Sequence, residues 1–120
     1  MTWTIEISEE AYADLDLHHA HLLKSQIAFG YAPDEAMALA RDGIVRMLDL
    51  AERLVGVPQI GTQHPALMDG IRHVTIERCI FWFHPDPDMQ VIRIFAVFRS
   101  GQDHFKHIVA RLGKEEGWAG

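Results

Sequence analysis

Lysine is scarce in this chain of 120 residues and occurs only at Lys24, Lys106 and Lys114. The formal net charge is -6. Proteins that grip nucleic acid broadly carry a basic excess, because neutralising phosphates drives their affinity. Tyrosine is also rare, and Tyr12 and Tyr31 both lie in the N-terminal half. The composition therefore argues against direct binding of nucleic acid.

The chain also has little cysteine and no long apolar run. Cys79 is the only cysteine, which excludes an internal disulfide, and its position beside two phenylalanines predicts a buried, inert thiol. No apolar run reaches the length of a membrane span, and no basic, apolar leader opens the chain. We therefore expect a cytoplasmic protein that does not associate with a membrane.

Length and composition predict one globular domain, because hydrophobic residues make up 48% of the chain and charged residues 23%. The domain is expected to span residues 1–120, with residues 113–120 as a frayed tail. Its charge is uneven: residues 1–57 carry ten acidic and four basic residues, and residues 58–120 carry seven of each. An acidic N-terminal half is compatible with a protein as the target.

The N-terminal half predicts a strand followed by two helices. Residues 3–7 alternate apolar and polar, as in a strand with one buried face, and Ser8 suits a helix N-cap. The apolar face of the first helix follows three-and-four spacing through Tyr12, Leu15, His19, Leu22, Gln26 and Phe29. Gly30 ends this helix, and a second helix begins near Pro33. The short link between the helices predicts an antiparallel hairpin.

The C-terminal half predicts three antiparallel strands and a short last helix. Strand-like runs cover His73–Glu77, Cys79–His84 and Gln90–Phe98. The fold class is therefore α+β, in the order β-α-α-β-β-β with a short C-terminal helix. The helical hairpin packs on a small, mainly antiparallel sheet, which the first strand extends at one edge. Both faces of the sheet are apolar, so the last helix, a second copy or a partner must cover the face that the hairpin leaves.

Several short motifs lie along these elements. Ala11-x-x-Asp14-Leu15 follows the first strand, a Pro58-x-x-Gly61 turn precedes Gly70-Ile71-Arg72, and the strands close on Arg99-Ser100-Gly101-Gln102-Asp103. This layout covers most of the chain and resembles the ParE/RelE superfamily of bacterial toxins from toxin–antitoxin pairs. The resemblance implies a RelE/ParE-like fold. It also implies one of two activities, because one branch of the superfamily blocks a protein without catalysis and the other cuts RNA.

The ParE-like branch implies a non-enzymatic toxin of a type II toxin–antitoxin system, of the plasmid-stabilisation type. Such a toxin inhibits a protein, DNA gyrase by resemblance, and is neutralised in a hetero-oligomeric complex by a cognate antitoxin encoded beside it. A non-toxic, complex-forming family member is a further alternative. On this hypothesis no residue is catalytic, and the partner-binding residues are Trp82, Arg93, Phe95, Phe98 and Arg99. Arg93 and Arg99 are expected on one face of the last strand, where arginine can pair with carboxylates of the partner.

The RelE-like branch implies a ribosome-dependent endoribonuclease that cleaves mRNA. That chemistry needs an acid or base for proton transfer and basic groups for the phosphate, and the candidates are Arg72, Arg99 and His104. Arg72 has a competing interpretation as an anchor of the loop before it. The family's Gly-Arg-Arg-Asp segment reads Ser100-Gly101-Gln102-Asp103 here, and Ala96 replaces its strand arginine. The catalytic set is therefore incomplete, which favours the non-enzymatic hypothesis.

Eight histidines raise the question of a metal site. His18 with His21, and His104 with His107, are spaced so that two ligands share one helical face. Neither pair has a carboxylate or cysteine at a fixed offset that would complete a ligand set. No metal and no other cofactor is therefore expected.

Overall fold

The chain folds into a five-stranded sheet with a helical hairpin on one face and a single helix on the other. A computed structural model describes residues 2–114. The elements, in chain order, are β1 (Thr4–Ile7), α1 (Glu9–Phe29), α2 (Pro33–Glu52), a 3-10 turn (Arg53–Gly56), β2 (Thr62–Gln63), β3 (Arg72–Ile76), β4 (Cys79–Asp86), β5 (Val91–Arg99) and α3 (His104–Lys114). The predicted α+β fold class and its order are confirmed. Strand β2 is an addition between the second helix and β3, where the predicted order has no strand.

Local signals set the ends of the helical hairpin. The Ser8 hydroxyl accepts a hydrogen bond from the Ala11 N–H and so caps α1. Gly30 ends the helix with φ of 118°, a left-handed conformation that glycine adopts without steric cost. Pro33 opens α2, where its fixed φ suits the first helical position. The ends of these helices can therefore be predicted from residue type at Ser8, Gly30 and Pro33.

The buried face of α1 differs from the predicted stripe. The buried residues are Ala11, Asp14, Leu15 and His18, all in the first half of the helix. The expectation is wrong at its two ends, because Tyr12 is 55% exposed and Phe29 is 81% exposed. The physical reason is that Asp14 and His18 form hydrogen bonds with β5, so polar side chains occupy the buried face and hydrophobic periodicity does not reveal it.

The strands are ordered β1-β5-β4-β3-β2. Strand β1 pairs in parallel with β5, and every other neighbouring pair is antiparallel. The predicted placement of the first strand at one edge of a mainly antiparallel sheet is therefore confirmed. Strand β2 forms the opposite edge with only two residues, Thr62 and Gln63.

The pairing of β4 with β5 contains a bulge. Trp82 pairs with Ala96 and Phe83 with Ile94, so Phe95 is the extra residue of β5 at this point. A bulge shifts the strand by one residue, and every side chain beyond it therefore changes face. The expected side-chain faces assume that successive residues of β5 alternate between the two faces of the sheet. This alternation is interrupted at Phe95.

The bulge corrects the placement of the two arginines of β5. Val97 packs with Ile92 and Ile94 on the side of the hairpin, which we call the hairpin face, although strict alternation would separate them. Arg99 is two residues beyond Val97 and therefore also lies on the hairpin face. Arg93, before the bulge, lies on the opposite side, which we call the outer face. The expectation that Arg93 and Arg99 share one face is wrong.

Two hydrophobic cores lie on the two faces of the sheet. On the hairpin face, α1 and α2 cover a core that contains Leu15, Leu50, Leu54, Phe81 and Phe83. On the outer face, α3 covers a core that contains Ile80, Trp82, Phe98, Ile108 and Leu112. Of the three covers considered for the second apolar face, the structure therefore supplies the chain's own last helix.

Helix α3 continues through Gly113 and Lys114, the first two residues of the segment predicted to fray. The rest of that segment, residues 115–120, lies outside the described part of the chain. Among residues 2–114, every helix is too short or too polar to cross a membrane.

Candidate functional site

A buried carboxylate joins α1, β5 and α3. Asp14 accepts a hydrogen bond of 2.9 Å from the Val97 N–H. Its two oxygens also accept hydrogen bonds of 2.8 and 2.9 Å from Nη1 and Nη2 of Arg111, in the bidentate geometry that suits a guanidinium. Arg111 Nη1 donates to the Phe95 carbonyl as well, at 2.9 Å. The Asp14–Arg111 pair therefore holds the last helix against the bulged strand.

His18 lies one turn further along α1 and is also buried. Its Nε2 is 2.7 Å from the Val97 carbonyl oxygen, so this nitrogen must carry the proton and donate it. Burial lowers the pKa of His18, and the positive charge of Arg99 acts in the same direction. His18 is therefore a neutral donor at pH 7 that ties α1 to β5.

A cleft of about 150 Å³ opens where α1, β5 and α3 meet. Its base contains the Asp14–Arg111 pair, and exposed residues of α1 and α3 form its rim. The lining residues are Asp14, Leu17, His18, His21, Val97, Phe98, Arg99, Gln102, His107 and Arg111. The cleft is therefore rich in arginine and histidine, although the whole chain is acidic.

A cluster of histidines lies on the outer face around Trp82. His64 Nε2 is 2.7 Å from His73 Nδ1, so one ring donates to the other. The Trp82 Nε1–H donates to His104 Nδ1 at 3.1 Å, and the ring of His73 stacks on Trp82 with centroids 4.8 Å apart. Burial lowers the pKa of both His64 and His73, and the charges of neighbouring histidines lower it further. Among residues 2–114, no group of three or more histidine, cysteine or acidic side chains is arranged to hold a metal ion.

The structure does not bring the three candidate nuclease residues together. Arg72 and Arg99 pair with residues of β4 that are four positions apart, which is about 13 Å along a strand. His104 contacts Trp82 on the outer face, whereas Arg99 lies on the hairpin face. Arg72 Nη1 donates to the carbonyls of Gln59 and Gly61, at 2.6 and 3.5 Å, and so anchors the loop before it. These bonds agree with the alternative interpretation of Arg72, as an anchor of the preceding loop.

The predicted partner-binding residues are only partly accessible. Trp82 and Phe98 are buried in the core beneath α3, so a partner can contact them only if that helix moves away. Phe95 and Arg99 are half-buried. Arg93 is also half-buried and donates to Asp86 Oδ2 at 2.8 Å, which lowers the pKa of that carboxyl. In the described structure, α3 therefore covers the aromatic part of the predicted surface.

Sequence reasoning missed the Asp14–Arg111 pair, because the two residues are 97 positions apart. One signal was available. Asp14 is an acidic residue adjacent to Leu15 on the sheet-facing side of a helix, and a charged residue in such a position needs a distant partner. The residues of the cleft gave no comparable signal, since three different elements supply them.

The link between α1 and α2 exposes two aromatic rings. Phe29 is 81% exposed, and its ring stacks on that of Tyr31 with centroids 5.9 Å apart. Both rings lie in the acidic half of the chain. They are additional apolar contact surface that the predicted site did not include.

No protein-family model and no curated protein matches the chain. Among solved structures, the chain is similar to a chain of the chromosomal ParDE TA system from P. aeruginosa, where TA denotes toxin–antitoxin. The two are 21% identical, the similarity covers 81% of this chain and 95% of that chain, and the TM-score is 0.55. The helical hairpin, the five-stranded sheet and the C-terminal helix together form a ParE-like fold.

Proposed function

We propose that this chain is the toxin component of a type II toxin–antitoxin system and acts by binding a protein. The proposed target is DNA gyrase, by resemblance to ParE-like toxins. A cognate antitoxin neutralises the toxin in a hetero-oligomeric complex, and the single domain of residues 1–120 acts in the cytoplasm. The ParE-like fold supports this proposal, as does the similarity to a chain of a ParDE system.

The observation that carries the proposal is the separation of Arg72, Arg99 and His104. Cleavage of RNA requires the acid or base and the phosphate-binding groups to reach the same few atoms at hydrogen-bond distance. Here the two arginines are about 13 Å apart along the sheet, and the histidine is on the other face. A protein that inhibits by binding needs no such convergence.

The antitoxin would contact the part of the predicted surface that is accessible. Arg93 and Arg99 reach the surface and can pair with carboxylates of a bound segment. Such a segment can be disordered when free and become ordered on binding, which lets it contact both faces of the sheet. Trp82 and Phe98 would join the interface only in a complex in which α3 is displaced.

Controlled expression in a bacterial host tests this function. We expect growth arrest with gyrase-dependent DNA breaks and intact messages, and rescue by the neighbouring antitoxin frame. The double variant Arg72→Gln with His104→Gln removes one candidate phosphate ligand and the candidate base, and we expect it to stay toxic. Messages cut at the ribosomal A site, together with loss of toxicity in the double variant, would overturn the proposal.

A RelE-like endoribonuclease is the second candidate, and the histidine cluster is the observation that favours it. His64, His73 and His104 place several imidazoles within contact of one another, and imidazole is the commonest acid or base in proton transfer near neutral pH. Arg72, which directly precedes His73, is engaged with loop carbonyls and so does not complete the cluster. The variant His73→Gln should abolish message cleavage if this candidate is right, and should leave toxicity unchanged if the first is right.

A further inference from the structure

The cleft between α1, β5 and α3 carries a positive charge that the described residues, 2–114, do not neutralise. Of the acidic residues that the structure describes, Asp14 alone lines it, and both of its oxygens are already engaged by Arg111. Arg99 also lines the cleft, and within residues 2–114 its guanidinium forms no ion pair. Arg99, Arg111 and Asp14 therefore give the described lining residues a formal net charge of +1, in a chain whose formal net charge is -6.

Hydrogen-bond donors surround this charge. The side-chain oxygen of Gln102 accepts a 2.7 Å hydrogen bond from the Arg99 N–H, which leaves the amide NH₂ of Gln102 as a donor. His21 on α1 and His107 on α3 are exposed and lie at the rim. Each imidazole can donate from one nitrogen when neutral and from both when protonated. Donors from three elements therefore line one small space.

We propose that this cleft binds the carboxylate of an acidic side chain on a partner protein. The partner rests on the proposed function, but the carboxylate site can be tested on this chain alone. The volume of about 150 Å³ suits one small polar group. Leu17 is 70% exposed at the same cleft, so an acidic residue next to an apolar one fits it best.

A single carboxylate fits the cleft better than a phosphate of nucleic acid. The bound group would lie next to α1, and this helix carries Glu9, Glu10 and Asp16 on its exposed surface. A polyanion would be repelled by this acidic half along its whole length, whereas one carboxylate brings a single charge. A phosphomonoester, unlike the singly charged phosphodiester of nucleic acid, carries nearly two negative charges, which require more than one uncompensated cation.

The test is a titration of the isotope-labelled protein with N-acetyl-glutamate methylamide, followed by the NMR signals of the Arg99 Nε–H and of the His21 and His107 rings. We expect saturable shifts in these signals. The variant Arg99→Gln should weaken binding by about tenfold or more, as expected for a lost hydrogen bond between two charged groups. The matched control Arg41→Gln alters an exposed arginine of α2, away from the cleft and from the predicted partner surface, and should leave the affinity unchanged.

Several outcomes would overturn the site. Equal shifts with sodium chloride at matched ionic strength would show a general salt effect. Tighter binding of inorganic phosphate than of the carboxylate probe would assign the cleft to a phosphate ligand. A third result concerns the chain's own acids: if the double variant Glu115→Gln with Glu116→Gln binds the probe more tightly, the cleft is occupied from within and not by a partner. Because no toxicity is measured, failure here is distinct from failure of the proposed function.

Discussion

Replacing Asp14 by alanine removes the acceptor of the Val97 N–H and the partner of the Arg111 guanidinium at once. Removing one member of a buried ion pair leaves the other charge without compensation, so we expect the variant to lose about 2–4 kcal/mol of unfolding free energy. Urea denaturation measures the loss. The control Asp16→Ala alters an exposed acid two residues away and should stay within about 0.5 kcal/mol of the parent. Equal urea midpoints for the two variants would contradict a stabilising role of the Asp14–Arg111 pair.

Three histidines, one buried and two half-buried, predict a dependence of stability on pH. The pKa values of His18, His64 and His73 are lowered in the folded protein, whereas in the unfolded chain they return to about 6.5. Below pH 6.5 the unfolded state therefore binds more protons than the folded state, and stability decreases as the pH falls. Above pH 7.5 both states are neutral at these groups, so the effect disappears.

His18 gives this pH dependence its sharpest test. It is the most deeply buried of the three, so it should contribute up to about 1.4 kcal/mol per pH unit below 6.5. Thermal or urea unfolding of His18→Gln from pH 7.5 to 5.5 should show a shallower slope than the parent. A parent whose stability is constant or rises as the pH falls over this range would contradict the assignment of neutral, buried histidines.

At this scale, local chemistry was predictable and long-range chemistry was not. Ser8 as an N-cap, Gly30 as a helix end and Cys79 as a buried thiol follow from residue type and immediate neighbours. Burial raises the pKa of Cys79, as expected of an inert thiol. The partnership of Asp14 with Arg111 depends on the packing of the first helix against the last, which no local pattern encodes.

Among the elements, α3 determines how much of the sheet is accessible. Ile108 is fully buried against the outer face, whereas Val109, the next residue of the same helix, is 42% exposed. The variant Ile108→Ala should therefore lose about 2–4 kcal/mol of unfolding free energy, and Val109→Ala should change it by less than about 0.5 kcal/mol.

Hydrogen exchange of the Trp82 Nε1–H reports on the docking of α3 directly, because this proton is donated to His104 at the start of the helix. We expect faster exchange in Ile108→Ala than in the parent or in Val109→Ala. Unchanged exchange in Ile108→Ala would mean that α3 does not protect the outer face.

The order of the long elements was predictable, and two short irregularities were not. Ser8, Gly30 and Pro33 mark the ends of the hairpin helices, and runs of β-branched and aromatic residues indicate the three long strands. Strand β2 has two exposed residues, so its composition does not distinguish it from a loop. The bulge at Phe95 could not be predicted from the sequence, because both faces of β5 are apolar. A shift of one residue therefore leaves the hydrophobic pattern of the strand unchanged.

For the whole molecule, fold and charge distribution support the same type of partner. The acidic half forms the hairpin, with exposed apolar side chains at its end, and five of the eight arginines lie in residues 58–120. A surface of mixed charge and exposed apolar groups suits protein–protein contact, where phosphate neutralisation is not the source of affinity. The ParE-like architecture could be predicted from the motifs, whereas the position of α3 over the sheet required the structure.

DNA supercoiling by purified gyrase, measured while this protein is titrated in, tests the central claim most directly. We predict that supercoiling activity falls as the protein is added and returns when the neighbouring antitoxin is supplied. Full gyrase activity at every concentration, with cleavage of ribosome-bound messages by the same preparation, would contradict the account.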